Sequence, residues 1–519
     1  MSNKEAFKKV IDEGYDVEGK SIILGGAMME GEVLPETFVR LPLETLNRHG
    51  LIAGATGSGK TKTLQIIAEQ LADVGVPSLL MDIKGDLSGI AQPSGGHPKI
   101  DERHELIGFP FIPGSTKVEF LSLSNEPGAR LRATVSEFGP VLLSKIMDLS
   151  EAQQGVLAVV FKFCDDRNLP LLDLKDLKET LKYLTDEGKE EIEDEYGRLS
   201  TASVGTIMRK IVELEQQGGE VFFGETSFDP EDLIRKTKDG KGIVNILRVT
   251  DIQDKPLLFS TFMLQLLAEI YAEFPEQGDA DKPKLVIFID EAHLVFDSAS
   301  KALLNQIETI VKLIRSKGVG LFFVTQNPAD IPEEVLGQLG LKVQHALRAF
   351  TAKDRKAIKL AAQNYPETDF YDVEELLTSL GIGEAFVTAL NEKGIPTPLV
   401  HTMLRAPQSR MDVLSDVEID EILSESELAE YYNKEVDRES AYEILKEKIA
   451  EANEDEHQEK MRKQRGRPRR DKSTIEKVVN STTTRQIGRT IAREVTRGLL
   501  GVLGISTTKR RRSRRRSIF

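Results

Sequence analysis

The chain has 519 residues, more than one hydrophobic core ordinarily supports, so roughly two to four structural units are expected. Its 40% apolar and 29% charged residues are those of a globular protein, and a lone cysteine, Cys164, excludes an internal disulfide framework and any multi-cysteine zinc site and fits a reducing compartment. The net charge of −15 is unevenly spread: residues 459–519 carry 20 Lys and Arg against 4 Asp and Glu, a balance of +16 that leaves −31 on residues 1–458. No apolar run approaches the ~20 residues that span a bilayer, and the N-terminal sequence lacks the apolar stretch of a secretory signal, so the expected location is the cytoplasm.

Residues 1–48 read as a short N-terminal segment. From there, apolar runs of strand length alternate with amphipathic stretches, the pattern of a doubly wound α/β core. The first part of that core, 49–118, holds strands expected at 49–54 and 77–83. Residues 119–240, rich in Leu, Lys and Glu with apolar positions three and four apart, read as a mostly helical insertion, in which Cys164 serves core packing. The second part of the core, 241–407, holds strands expected at 242–249, 284–290, 320–326 and 383–390. Residues 408–458 are acidic and read as one or more solvated helices or an acidic linker, and 459–519 form a basic, largely disordered tail.

The chemistry concentrates where apolar strands end. The first strand runs into Gly54, Ala55, Thr56, Gly57, Ser58, Gly59, Lys60 and Thr61, a complete G-x-x-x-x-G-K-T, with Lys62 just beyond and an amphipathic helix following. Glycines at this spacing let successive backbone N–H groups turn toward phosphates, and the helix N-terminus adds its positive dipole. Lys60 is expected to reach the β- and γ-phosphates of ATP, and the Thr61 hydroxyl to ligate Mg²⁺. The strand LVIFI delivers Asp290 and Glu291 together: Asp290 is expected to hold Mg²⁺ through water, and Glu291 to polarise the attacking water. His293 reads as structural. Gln326, where the apolar run GLFFVT meets its loop, is a candidate for sensing the γ-phosphate or orienting water.

Taken with MDIKGDLSG, VIFIDEAHLVF, IRSKGVGLFFVTQNPADIP and HALRAFTAKDRKAIK, these pieces resemble, in content and order, the HerA/FtsK branch of P-loop motor ATPases, and most closely bacterial HerA-like proteins of the YjgR type. The resemblance covers about residues 20–405. It implies an additional-strand RecA-like fold, a homo-oligomeric ring of six subunits, and ATP-driven movement of a polymer through the pore. It further implies an arginine supplied by a neighbouring subunit, with Arg315 the first candidate and Arg348 the second, and it admits a nuclease or other protein partner. Residues 1–48 are too few for the β-barrel that precedes the core in archaeal HerA helicases, and the membrane-spanning segments of FtsK and conjugative coupling proteins are not expected.

DNA is the expected polymer, bound partly through residues 459–519. RKQRGRPRRDK, 462–472, is similar to an AT-hook, and KRRRSRRRS, 509–517, offers phosphate contacts without sequence preference. The alternative is an ATP-driven protein or membrane-associated remodelling factor. Ile487, Ile491, Val495 and Leu499, with Arg485, Arg489, Arg493 and Arg497 between them, would form a basic amphipathic helix suited to an anionic surface.

Overall fold

The computed structural model describes residues 3–447, apart from 279, 297–300, 350, 435, 437 and 438. The basic tail, with its AT-hook-like string and its amphipathic segment, lies outside the described residues.

One compact unit comprises residues 1–132, 226–264 and 274–435. It contains a 12-stranded sheet in the order β2-β1-β12-β11-β10-β3-β9-β8-β4-β7-β5-β6. The strands are β1 (Ser21–Met29), β2 (Glu32–Pro42), β3 (Gly50–Ala53), β4 (Ser78–Asp82), β5 (Val118–Ser122), β6 (Ala129–Arg130), β7 (Val244–Arg248), β8 (Leu285–Ile289), β9 (Val319–Thr325), β10 (Leu341–Gln344), β11 (Glu384–Thr388) and β12 (Val400–Leu404). From β10 to β6 every neighbouring pair is parallel. On the other side of β10, the pairs with β11, β12, β1 and β2 are antiparallel. The sheet is therefore mixed, a parallel core extended by an antiparallel ribbon to which residues 21–42 contribute the outer two strands.

All six strands expected from the sequence are present, as β3, β4, β7, β8, β9 and β11. The parallel ones are buried along their whole length except for the last residue of β7, as strands covered on both faces must be. The others are hidden by local composition. Gly25 and Gly26 interrupt the apolar run of β1, and Gly25 is there because an added Cβ would lie 1.9 Å from the Met403 carbonyl oxygen of β12. β5, inside the stretch read as helical, carries Glu119, whose buried carboxylate accepts from Ser426 at 2.6 Å and pairs with Arg235 at 3.2 Å. β10 is only LKVQ.

Helix α1 (Asn3–Gly14) puts Phe7 edge-on against Phe370 and Tyr371. Helix α2 (Lys60–Asp73) follows β3, and α3 (Pro98–Ile107) starts from His97, whose ring caps Lys99 N. The acidic stretch after residue 408 contains the helices Asp416–Ser424 and Glu427–Tyr432, each capped by a serine, Ser415 and Ser426.

The second unit comprises residues 133–225, 265–273 and, of the described chain beyond them, 436 and 439–447. It is helical: α4 (Val135–Ile146), α5 (Glu151–Arg167), α6 (Leu174–Thr185), α7 (Lys189–Tyr196) and α8 (Thr201–Leu214). Cys164 on α5 is buried with its thiol pushed up by desolvation and its Sγ 3.9 Å from Thr180 Oγ1, the setting of a packing residue. Among the described residues no helix is long and apolar enough to cross a membrane.

Candidate active site

The carboxyl ends of β3, β9 and β8 lie side by side, with Ala53 paired to Thr325 and Ile289 to Phe323. β9 thus separates the strand entering the glycine loop from the strand carrying the two carboxylates, the arrangement that distinguishes additional-strand RecA-like cores. Ligands of open α/β sheets bind at such carboxyl ends.

The loop is built on backbone that only glycine adopts readily. Gly54, Gly57 and Gly59 have φ of 153°, 77° and 112°, and a Cβ on Gly54 would come 2.5 Å from His345 Cβ. The loop is pinned at its base, where Gly54 N donates to Thr325 O at 3.2 Å and Ala55 N to Ala346 O at 2.8 Å. On its far side Gly383 N donates to Ser58 O at 3.1 Å. His345 donates to or accepts from Thr63 at 2.9 Å, and burial followed by the nearby Lys60 ammonium pulls its ring down to about 4, so it is neutral at pH 7. Helix α2 starts at Lys60 with no side-chain cap, which leaves its first N–H groups free for an anion.

Lys60 is buried and donates to Gly54 O at 2.7 Å and Ala55 O at 3.2 Å. Burial, and then the Lys84 ammonium, hold it below the ordinary lysine value. Thr61 Oγ1 donates to Asp86 Oδ2 at 3.3 Å. Lys62 turns elsewhere, donating to Met411 O at 2.5 Å and Gln65 Oε1 at 3.3 Å.

Asp290 and Glu291 are both buried at the end of β8. Burial pushes Asp290 up to about 6, against the pull of Lys84. Glu291 sits at φ 45°, a left-handed conformation that costs a glutamate about 1 kcal/mol or more. Its Oε1 pairs with Lys84, and its Oε2 stands 3.3 Å from His293 Nδ1 without a hydrogen bond. Asp290 Oδ2 and Asp86 Oδ1 are buried with no hydrogen-bond partner. Buried polar atoms left in this way call for a cation or water, and a hydroxyl with carboxylate oxygens is a hard donor set suited to Mg²⁺. Among the described residues no group of three or more His, Cys, Asp and Glu is placed to hold a metal ion.

Gln326 and Arg348 are exposed and line one cleft of about 430 Å³ together with Ala55, Thr56 and Asn327. Arg315 is elsewhere. It is exposed at the amino end of β9, a strand's length from the glycine loop of its own chain, and its charge is felt by His49 just before β3. Three residues of the site have no role predicted from the sequence, although they lie in strings that carry the resemblance. Lys84 and Asp86 come from the turn after β4, which Asp82 caps by accepting from Gly85 N at 2.8 Å and Asp86 N at 3.1 Å, and His345 follows β10. The charged string after an apolar run, LLMDIKGD, is a sequence signal for the first two, and the string HALRAF begins at the third.

A glycine loop between a buried strand and an uncapped helix, facing paired carboxylates one strand away, defines a P-loop NTPase core of the RecA-like, additional-strand kind. The family profile described as Helicase HerA-like C-terminal matches residues 28–511, and the chain belongs to that family. It is 24% identical over 397 residues to the DNA double-strand break repair helicase HerA of Sulfurisphaera tokodaii, covering 75% of this chain and 69% of that one. With the protein of the same name from Saccharolobus solfataricus it is 25% identical over 384 residues, covering 72% and 69%. Among solved structures, the bacterial conjugative coupling protein TrwBdeltaN70, in a trigonal form in complex with sulphate, aligns with a TM-score of 0.50 at 14% identity over 78% of this chain and 94% of that one, a likeness of fold.

Proposed function

We propose that the chain hydrolyses ATP with Mg²⁺ at the carboxyl ends of β3 and β8, and that a ring of six copies uses the turnover to move DNA. The observation carrying this is the pairing of an open phosphate cradle, Gly54–Thr61, with two buried carboxylates, Asp290 and Glu291, that lie beside its lysine. The names of the relatives, DNA repair helicases, support DNA as the polymer.

In this mechanism the loop amides and Lys60 receive the β- and γ-phosphates, the lysine exchanging its two carbonyl partners for phosphate oxygens. Thr61, Asp290 and Asp86 are the groups that would hold Mg²⁺, which would supply charge to offset those oxygens. Glu291 orients a water and accepts its proton as oxygen attacks the γ-phosphorus, and the bond to the β–γ bridging oxygen breaks to leave ADP and phosphate. Gln326, at the mouth of the cleft with Thr56, is positioned by this reading to orient that water. Arg348 lines the cleft of its own chain, whereas Arg315 is remote from it and would serve the site of a neighbouring copy.

The test is ATP turnover by the full chain with and without double-stranded DNA over a salt series. Wild-type protein is expected to hydrolyse ATP faster with DNA. Glu291→Gln is expected to bind ATP with turnover about 10²–10⁴-fold lower, and Lys60→Ala to lose binding. Wild-type turnover in Glu291→Gln would refute the base assignment. Stimulation by anionic vesicles or a protein client and not by DNA would replace the polymer.

A further inference from the structure

Both ammonium groups of the site are already engaged inside the chain. Lys60 is held by two carbonyls of its own loop, and Lys84 is paired with Oε1 of Glu291, the oxygen-bearing group that must be free to receive a proton from water. The pair is asymmetric. The Lys84 side chain is 36% exposed and reaches in from the turn after β4, whereas that of Glu291 is 7% exposed and fixed at the end of β8. β4 and β8 are hydrogen-bonded neighbours, so the two ends are held at one spacing.

An ammonium on a flexible stem, half in water and beside the place where a terminal phosphate would lie, has a stronger anion within reach than one carboxylate. We propose that Lys84 is a positioning residue that senses the terminal phosphate of a nucleoside triphosphate. With that phosphate absent it holds Glu291; with it present the ammonium transfers to the phosphate and Glu291 is released to the water. A diphosphate, which leaves the place empty, does not open the pair. This inference rests on the reading of Glu291 as the base.

The experiment measures equilibrium binding of Mg²⁺–ADP and of a Mg²⁺-bound ATP analogue with nitrogen at the β–γ bridge, alongside ATP turnover, in wild type, Lys84→Met, Lys84→Arg, Glu291→Gln and the double variant. Lys84→Met is expected to keep ADP affinity within about twofold, which also reports that the site is folded, and to weaken the analogue by about tenfold or more, the scale of one charge-assisted hydrogen bond. Lys84→Arg is expected to restore much of the analogue-to-ADP ratio. Glu291→Gln, which frees Lys84, is expected to tighten the analogue relative to ADP, and the gain should vanish when Lys84→Met is added, a coupling that a static ion pair does not produce. An unchanged ratio in Lys84→Met, or equal losses for both nucleotides, with Glu291→Gln inactive, overturns the Lys84 assignment alone. Wild-type turnover in Glu291→Gln overturns the base reading and the release with it.

Discussion

Arg315 offers the sharpest test at the scale of single residues. Lying at the amino end of β9, it is a strand's length from the glycine loop of its own chain, so on the proposed reading its part in hydrolysis is played at the site of a neighbouring copy. Arg315→Ala is expected to lower turnover by as much as ~10³-fold while ATP affinity changes little. Mixing Arg315→Ala with Glu291→Gln subunits is expected to restore some turnover, because some interfaces then pair an intact Glu291 with an intact Arg315. A titration of one variant into the other, followed by steady-state ATPase rates, reads the result, and flat inactivity in verified mixed assemblies would count against action in trans. The residues legible in the sequence share one property. Gly54–Thr61 and Asp290–Glu291 are local strings, each announced by the apolar strand that delivers it. Lys84, Asp86 and His345 lie in strings that the resemblance picks out, MDIKGDLSG and HALRAFTAKDRKAIK, but their place in the site comes from β4 pairing with β8 and β10 with β3, across roughly 200 and 290 residues, which no local string encodes.

Among the elements, α2 does more than start at the phosphates. Its buried Glu69 accepts from Gln408 N at 2.7 Å and from Ser409 N and Oγ at 3.2 and 2.8 Å, fastening the chain that leaves β12 onto the helix. Burial outweighs these donors and pushes Glu69 from 4.5 up to about 7. A carboxyl raised on folding contributes stability that is full below its unfolded value and is lost as pH rises through the folded one. The apparent unfolding midpoint is therefore expected to fall between about pH 5 and pH 8. Glu69→Gln is expected to reduce that fall without abolishing it, since Asp82, pushed up to about 7 by burial and by Asp86, titrates in the same direction. Calorimetric scans of both proteins across that range provide the check, and parallel curves would refute the assignment. The elements legible in the sequence are β11 and five strands of the parallel core, β3, β4, β7, β8 and β9, each lying in a mostly apolar run. The rest of the ribbon and β10 are not, because β1 spends its centre on glycines that let β12 approach, and β10 is shorter than a periodicity can register.

For the whole molecule, the charge division sets the behaviour with polyanions. Removing residues 459–519 takes a balance of +16 from a chain whose remainder carries −31, so DNA affinity is expected to fall most at low salt. The slope of log affinity against log salt should become shallower by about 0.9 for each duplex phosphate that the truncated chain no longer neutralises, while ATPase without DNA changes little. Binding titrations of the full and truncated chains at several salt concentrations decide this, and equal slopes would remove the tail from DNA binding. The sheet order has a separate implication, for the time course of synthesis. β3 has no sheet neighbour close to it in sequence: its partners are β9 and β10, while β1, paired locally with β2, gains its other neighbour only with β12. At roughly 5–20 residues per second, the strand that enters the glycine loop leaves the ribosome about 15–60 s before the strands that flank it. During that interval an apolar segment is open to wrong pairings, and ATP finds no cradle to stabilise. The strand entering the glycine loop is thus made early and enclosed late, so the cradle can bind its ligand only after about 290 further residues have been made.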